Sequence, residues 1–370
     1  MRSTWLLRAA LAAVLLAVPL TAPARAAADP VPQDDPSRAA IQQKYTALGG
    51  GGTLGEVVGT ADGGRYAEFA KWGTTVTITW RSDLGAHWFS GAFRQRWIEN
   101  NRADGWGHAM IDQEPMPGGT GEGVKFSKDV SVYYSPSTGA RALTGAVRAK
   151  YWQLGSVTGI AGYPITDALD TPDGAGRFAD FQNYGLSIYA SHATGVGYWM
   201  SGAVRQRFRT GGDVAAVGFP TSDQLPTPGR DGVYVLFGPN RAIIYGPQTG
   251  ARLVSDAFLT RLRADGDVAW DGLPKLEQTP LDGVPGGTYQ HFQAATIIGT
   301  PAGAVTIRWD IREAWWRFGG TASKFRLPTA NEIWSPDRMT VTQTFEGGHI
   351  QCGYHYAPDG NLAVTCTGRD

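Results

Sequence analysis

The chain has no charge surplus, almost no cysteine and no second long apolar run. Lys plus Arg and Asp plus Glu each total 33 in 370 residues, so the net charge is zero. A chain without net charge has no electrostatic footprint for DNA, RNA or anionic lipid. The one apolar stretch, Ala9 to Leu20, is too short to span a bilayer well, and no later run reaches spanning length. Catalytic signatures are missing too. There is no Gly-x-Ser-x-Gly elbow, His-Glu-x-x-His, P-loop or dinucleotide fingerprint, so the chain is expected not to be an enzyme. No metal or cofactor is expected.

The apolar stretch reads as part of a secretory signal. Arg2 and Arg8 flank it, and Ala24-Arg25-Ala26 supplies small residues at the two positions a signal peptidase reads. Residues 1–26 are therefore expected to be removed, with Ala28 as a second cleavage point. Residues 27–39 read as a flexible leader, and the mature protein is expected to be secreted and soluble. The two cysteines, Cys352 and Cys366, then suggest a disulfide. A zinc set of His349, Cys352, His355 and Cys366 is the competing reading. A strand over 349–355 would put both histidines on one face and Cys352 on the other, splitting the ligands.

What the chain does contain is one statement made six times. Ala203-Val204-Arg205-Gln206-Arg207-Phe208 has cognates around Ile41, Phe93, Val147, Phe258 and Ile311, at steps of 52, 54, 57, 54 and 53 residues. A fixed period marks one supersecondary unit stacked on copies of itself. Phe93/Trp97, Val147/Tyr151 and Val204/Phe208 fall at i and i+4, which puts an apolar pair on one face of a short helix. Ser90, Thr144, Ser201 and Ser255 stand where N-caps belong, and Gly49, Gly155, Gly212, Gly266 and Gly319 where helices stop. A turn follows at Gly162-Tyr163-Pro164, Gly218-Phe219-Pro220 and Gly272-Leu273-Pro274. Three residues on come Asp167, Asp223 and Glu277, with Asp112 and Asn331 in the same place, expected to accept hydrogen bonds from turn amides. A hairpin then closes each unit, with a glycine suited to a left-handed bulge at Gly139, Gly195 and Gly250. Phe69, Phe126, Phe181, Phe237, Phe292 and Phe345 recur once per unit and are expected in the core. The basic pairs Arg94/Arg96, Arg148/Lys150 and Arg205/Arg207 read as a solvated face, with contact to acidic polymers as the alternative.

The fold expected is thus an α+β repeat protein of six helix-plus-hairpin units, at about 40–91, 92–145, 146–202, 203–256, 257–309 and 310–366. One helix and one hairpin cannot bury both faces alone, so neighbours must cover each other. The spacing permits an open solenoid.

The pattern of glycine-aromatic-proline, then a turn ending Thr-Gly-Ala, then a basic-aromatic helix, resembles the LGFP repeat of actinobacterial cell-surface proteins. Val217-Gly218-Phe219-Pro220 with Gln248-Thr249-Gly250-Ala251 carries it best. The resemblance implies units closed into a propeller-like ring that holds a partner domain on wall polysaccharide. The expected function is a non-catalytic exported module binding cell-wall glycan, such as arabinogalactan or a peptidoglycan-like polymer. The alternatives are a scaffold for a cell-wall protein and a cell-wall hydrolase. The hydrolase reading requires a cleft with two acids and no counterpart in other units. Candidate sugar-stacking aromatics are Trp80, Trp88, Tyr134, Tyr189, Trp199 and Tyr245. Packing between units competes for all of them, least obviously for Trp88 and Trp199, where other units carry Ala142 or Leu253.

Overall fold

A computed structural model of the chain describes residues 31–359 and 361–369. The signal segment lies outside the described residues. Six antiparallel four-stranded sheets follow one another, at about 58–90, 114–144, 169–200, 225–255, 279–308 and 333–369. In each, the strands lie side by side in chain order, and the first is only a two-residue edge. The unit is therefore a four-stranded sheet rather than a hairpin. The extra edge strand is too short to leave a periodic trace in the sequence.

The last strand of each of the first five sheets runs straight into a helix: Gly91–Glu99, Gly145–Gln153, Gly202–Thr210, Asp256–Ala264 and Trp309–Arg317. The helix wedges between the sheet it leaves and the sheet that follows, and buries its i, i+4 pair there. The first helix, Pro36–Ala47, packs on the first sheet. It begins inside the stretch read as leader. Asp35 caps it by accepting from the Ser37 amide, and the Arg38 side chain donates to the carbonyls of Val31 and Pro32. Those local bonds order residues that composition alone marks as mobile.

The six periodic phenylalanines are buried, and Ala109, Pro164, Pro220, Pro274 and Pro328 each bridge the phenylalanine of their own unit. Polar tips fix the helix to this turn: Trp97 Nε1, Tyr151 Oη and Trp315 Nε1 donate to the carbonyls of Gly107, Gly162 and Arg326 at 2.9, 2.8 and 2.8 Å. Gly155, Gly212, Gly266 and Gly319 hold φ of 90°, 97°, 105° and 106°, the left-handed stop expected of them. Cys352 and Cys366 face each other across the last two strands and form a disulfide.

The acids after each turn do something other than cap it. Asp112, Asp167, Asp223, Glu277 and Asn331 accept from the amides of Trp88, Ala142, Trp199, Leu253 and Thr306. Those amides belong to the last strand of the preceding sheet, where they would otherwise face outward as an unpaired edge. Each acid is gripped at the same time by a cation from the preceding unit's helix. The pairs are Lys44–Asp112 at 3.0 Å, Arg96–Asp167, Lys150–Asp223 at 2.6 Å and Arg207–Glu277 at 2.7 Å. The other helical cations reach back to the sheet behind, as in Arg94–Glu68, Arg148–Asp129 and Arg205–Asp180. The basic residues are thus inter-unit clamps and not a solvated face.

At the two ends this clamp is unmade. Ala314 stands in the last helix where the others carry Lys or Arg, and Glu56, the first unit's equivalent acid, is exposed. The four expected N-cap side chains make no cap bond either. A residue of positive φ opens each of these helices and turns the hydroxyl toward the next unit, where Ser90, Ser201 and Ser255 meet Gln113, Gln224 and Gln278.

Candidate functional site

The sequence-predicted aromatics do not assemble into one surface. Tyr189 is fully buried, stacked on Phe178 and edge-on to Phe208, with its hydroxyl donating to Asp213 at 3.1 Å. Tyr189 is therefore a core residue and not a sugar-stacking ring. Trp80 and Trp88 pack on the first core cluster, Tyr134 on the second, Trp199 on the third and Tyr245 on the fourth, all half-buried. Trp88 also meets the exposed Trp72, ring centroids 5.4 Å apart.

Aromatic rings do converge elsewhere, between the fifth and sixth units. A groove of about 960 Å³ is walled by Trp270, Trp309, Trp334, Tyr354 and Tyr356. Trp270, Trp309, Trp334 and Tyr356 remain 55%, 45%, 37% and 73% exposed, unlike rings that fill a core. Trp334 stacks on Tyr354 at 5.5 Å with 20° between planes, and the Tyr354 hydroxyl donates to Asp310 at 2.7 Å. The polar floor includes Arg308, Asp310, Asn331 and Glu332.

Every part of this floor breaks the repeat. Arg308 stands where other units have Ser90, Thr144, Ser201 and Ser255, and Glu332 where they have Gln113, Ala168, Gln224 and Gln278. A neutral Ser–Gln contact has thus become an Arg–Glu pair, with Arg308 Nη1 3.5 Å from Glu332 Oε1. Asp271 replaces the buried apolar residues Trp106, Ala161, Val217 and Phe325. It is itself fully buried and accepts from Arg308 Nε at 2.6 Å. Asp265, at the helix C-cap, takes Arg308 Nη2 at 2.7 Å and also pairs with Arg261. Arg261 is the cation that would have clamped an acid at position 331. With Asn331 there, it turns to Asp265 instead.

Trp309 keeps the backbone of the repeat but departs from it in residue type. The first residue of the earlier helices is Gly91, Gly145, Gly202 or Asp256, at φ of 54–55°. Trp309 sits at φ 46°. A bulky residue in the left-handed region costs on the order of 1–3 kcal/mol and tends to persist where function holds it. Here the strain sets an indole on the rim of the groove.

The electrostatics follow from burial. Two guanidiniums, Arg261 and Arg308, face three carboxylates, Asp265, Asp271 and Glu332, leaving one surplus negative charge. Burial pushes the Asp271 carboxyl up to about 6 and raises that of Glu332 as well. Among the described residues, Asp271 Oδ2 and Glu332 Oε2 meet no hydrogen-bond partner, although the Trp334 indole approaches Glu332 closely enough to favour its charged form. The site escapes a sequence reading built on rings on or beside the hairpins, each taken singly. The available signal was the opposite one, residues that depart from the repeat together.

A family model described as the LGFP repeat matches residues 53–105, 107–159, 162–213 and 217–267. The residues lining the groove lie beyond the last matched repeat, whereas Arg261 and Asp265 of the charge cluster beneath it fall inside that repeat. No curated protein matches the chain. Among solved structures, a dihydro-heme d1 dehydrogenase, NirN, in complex with DHE is similar over 86% of this chain at 10% identity, with a TM-score of 0.13. The chain spans 58% of that structure's length, and a likeness this weak carries no argument.

Proposed function

The chain belongs to the LGFP repeat family, and from that premise we propose an exported, non-catalytic module that holds cell-wall polysaccharide in the groove between its fifth and sixth units. The observation that supports this reading is the set of half-exposed rings around hydrogen-bonding groups. Indole faces take the C–H faces of a sugar, while polar groups at the floor take its hydroxyls. The disulfide fits an exported chain, and no helix among the described residues is long and apolar enough to cross a membrane. The ring that the family implies has to close without the charge clamp, since Ala314 and Glu56 do not form one. Retention on purified wall polysaccharide tests the reading. Trp309→Ala with Trp334→Ala abolishes retention, whereas Trp88→Ala with Trp199→Ala leaves most of it. Retention that survives loss of the groove rings refutes this placement.

One observation favours a second reading, glycoside hydrolysis. The groove is a cleft with two acids, Asp310 and Glu332, and its Glu332–Arg308 floor has no counterpart in other units. Buried Glu332 has the raised pKa a general acid needs. Binding is preferred because Glu332 faces Arg308 and Asp310 is engaged by Tyr354. New reducing ends on incubated polymer would establish hydrolysis instead.

A further inference from the structure

The neutral version of this floor exists in the same molecule. Gln113, Gln224 and Gln278 contact Ser90, Ser201 and Ser255 at three other junctions, and there the amide suffices. Only at the junction with the aromatic groove does the amide become a carboxylate. The Glu332 side chain is 8% exposed, lines the groove, and leaves Oε2 unpartnered. Arg308 cannot neutralise it alone, because Asp265 and Asp271 already draw on the same guanidinium. Across the cluster and groove, Arg261, Arg308 and Arg338 oppose Asp265, Asp271, Asp310 and Glu332, a balance of −1. A buried surplus charge is stable only when a proton or a cation answers it. Rings around such a floor also favour a cation, through the negative faces of Trp309 and Trp334.

We propose that the groove selects saccharides carrying a free ammonium group, which seats on Glu332 between the indoles of Trp309 and Trp334. The inference rests on the glycan-binding reading and adds the ligand's charge to it. A neutral sugar supplies hydroxyl donors to Glu332 but leaves the surplus negative charge unanswered. An N-acetylated sugar has the same ring faces and one amide donor, again without charge. The ammonium form alone satisfies Oε2 and balances the cluster.

The test is calorimetric titration of the mature protein with glucosamine oligomers and with their N-acetylated counterparts, at a pH where the amine is charged. The amine form is expected to bind at least tenfold more tightly, with an affinity that falls as salt is raised. Glu332→Gln copies the residue found at three sister junctions, so the fold tolerates it, and it should bring the affinities for the amine and N-acetylated oligomers to within about threefold of each other. Equal or tighter binding of the N-acetylated oligomer overturns the inference and leaves the glycan reading standing. Preference that survives Glu332→Gln overturns the assignment to Glu332. Binding of neither oligomer, with wall polysaccharide also unretained, overturns both.

Discussion

Asp223 carries two loads that can be separated by experiment. Its Oδ1 accepts from the Trp199 amide at 3.1 Å, and its Oδ2 meets Lys150 Nζ at 2.6 Å. Trp199 lies on the last strand of the third sheet, Lys150 in the third helix and Asp223 in the fourth unit, so one side chain fastens two units. A charged acceptor on a backbone amide contributes about 1.5–3 kcal/mol. The ion pair, with side chains 12% and 29% exposed, adds roughly 0.5–1 kcal/mol. Asp223→Ala should therefore cost about 2–4 kcal/mol. Asp223→Asn keeps an acceptor, as Asn331 does for the Thr306 amide, and should cost only about 1 kcal/mol. In a stacked array each unit contacts only its neighbours, so the loss concentrates at this junction. Native-state hydrogen exchange at the Trp199 amide is the sensitive assay. Asp223→Ala should lower protection there by about 30-fold or more, with the Asn variant within about tenfold of wild type. Equal damage from Asn and Ala, or unchanged protection in both, would refute the argument that the cap dominates.

The Arg308 cluster gives a pH dependence of definite sign. Asp271 titrates at about 6 in the fold and near 4 when unfolded, so the folded state holds its proton more tightly. Its contribution is complete below about pH 4 and is lost as pH rises through 6, on the order of 1–3 kcal/mol. Asp271→Asn should flatten that slope in denaturation curves taken from pH 4 to 7. Arg308→Ser alone strands buried carboxylates and should cost about 3–5 kcal/mol. Adding Asp271→Val and Glu332→Gln restores the pattern of Val217, Ser201 and Gln224 and should recover most of the loss, read as a denaturation midpoint. At the junction of the second and third units, Gly123 lies where Tyr66, Phe178, Tyr234 and Tyr289 fill the equivalent place, and a cavity of about 390 Å³ opens beside it. Gly123→Tyr should raise the melting midpoint, with a gain of about 1 kcal/mol from the buried ring. The flexible tip of Met116, 2.7 Å from the new Cβ, must swing aside, and an unchanged or lowered midpoint refutes the filling argument.

The sequence by itself determined the period, the six helices with their i, i+4 pairs, the glycine stops and one core phenylalanine per unit. Those features are local and repeat, so spacing reveals them without knowledge of neighbours. It also placed Cys352 and Cys366 together, because strand alternation and compartment both argued against zinc. Only the tertiary structure decided where the recurring acids point. Asp167 and Asp223 look like turn residues, but their partners Arg96 and Lys150 lie 71 and 73 residues away, on another unit. No local pattern distinguishes a cap on one's own turn from a cap on a neighbour's edge strand. The groove was hidden for the same reason. Arg308, Trp309, Asp271 and Glu332 are each an ordinary lapse in an imperfect repeat, spread over 62 residues of chain. Stacking the fifth unit on the sixth brings them together, and only then do four lapses become one buried charge cluster beneath an aromatic rim.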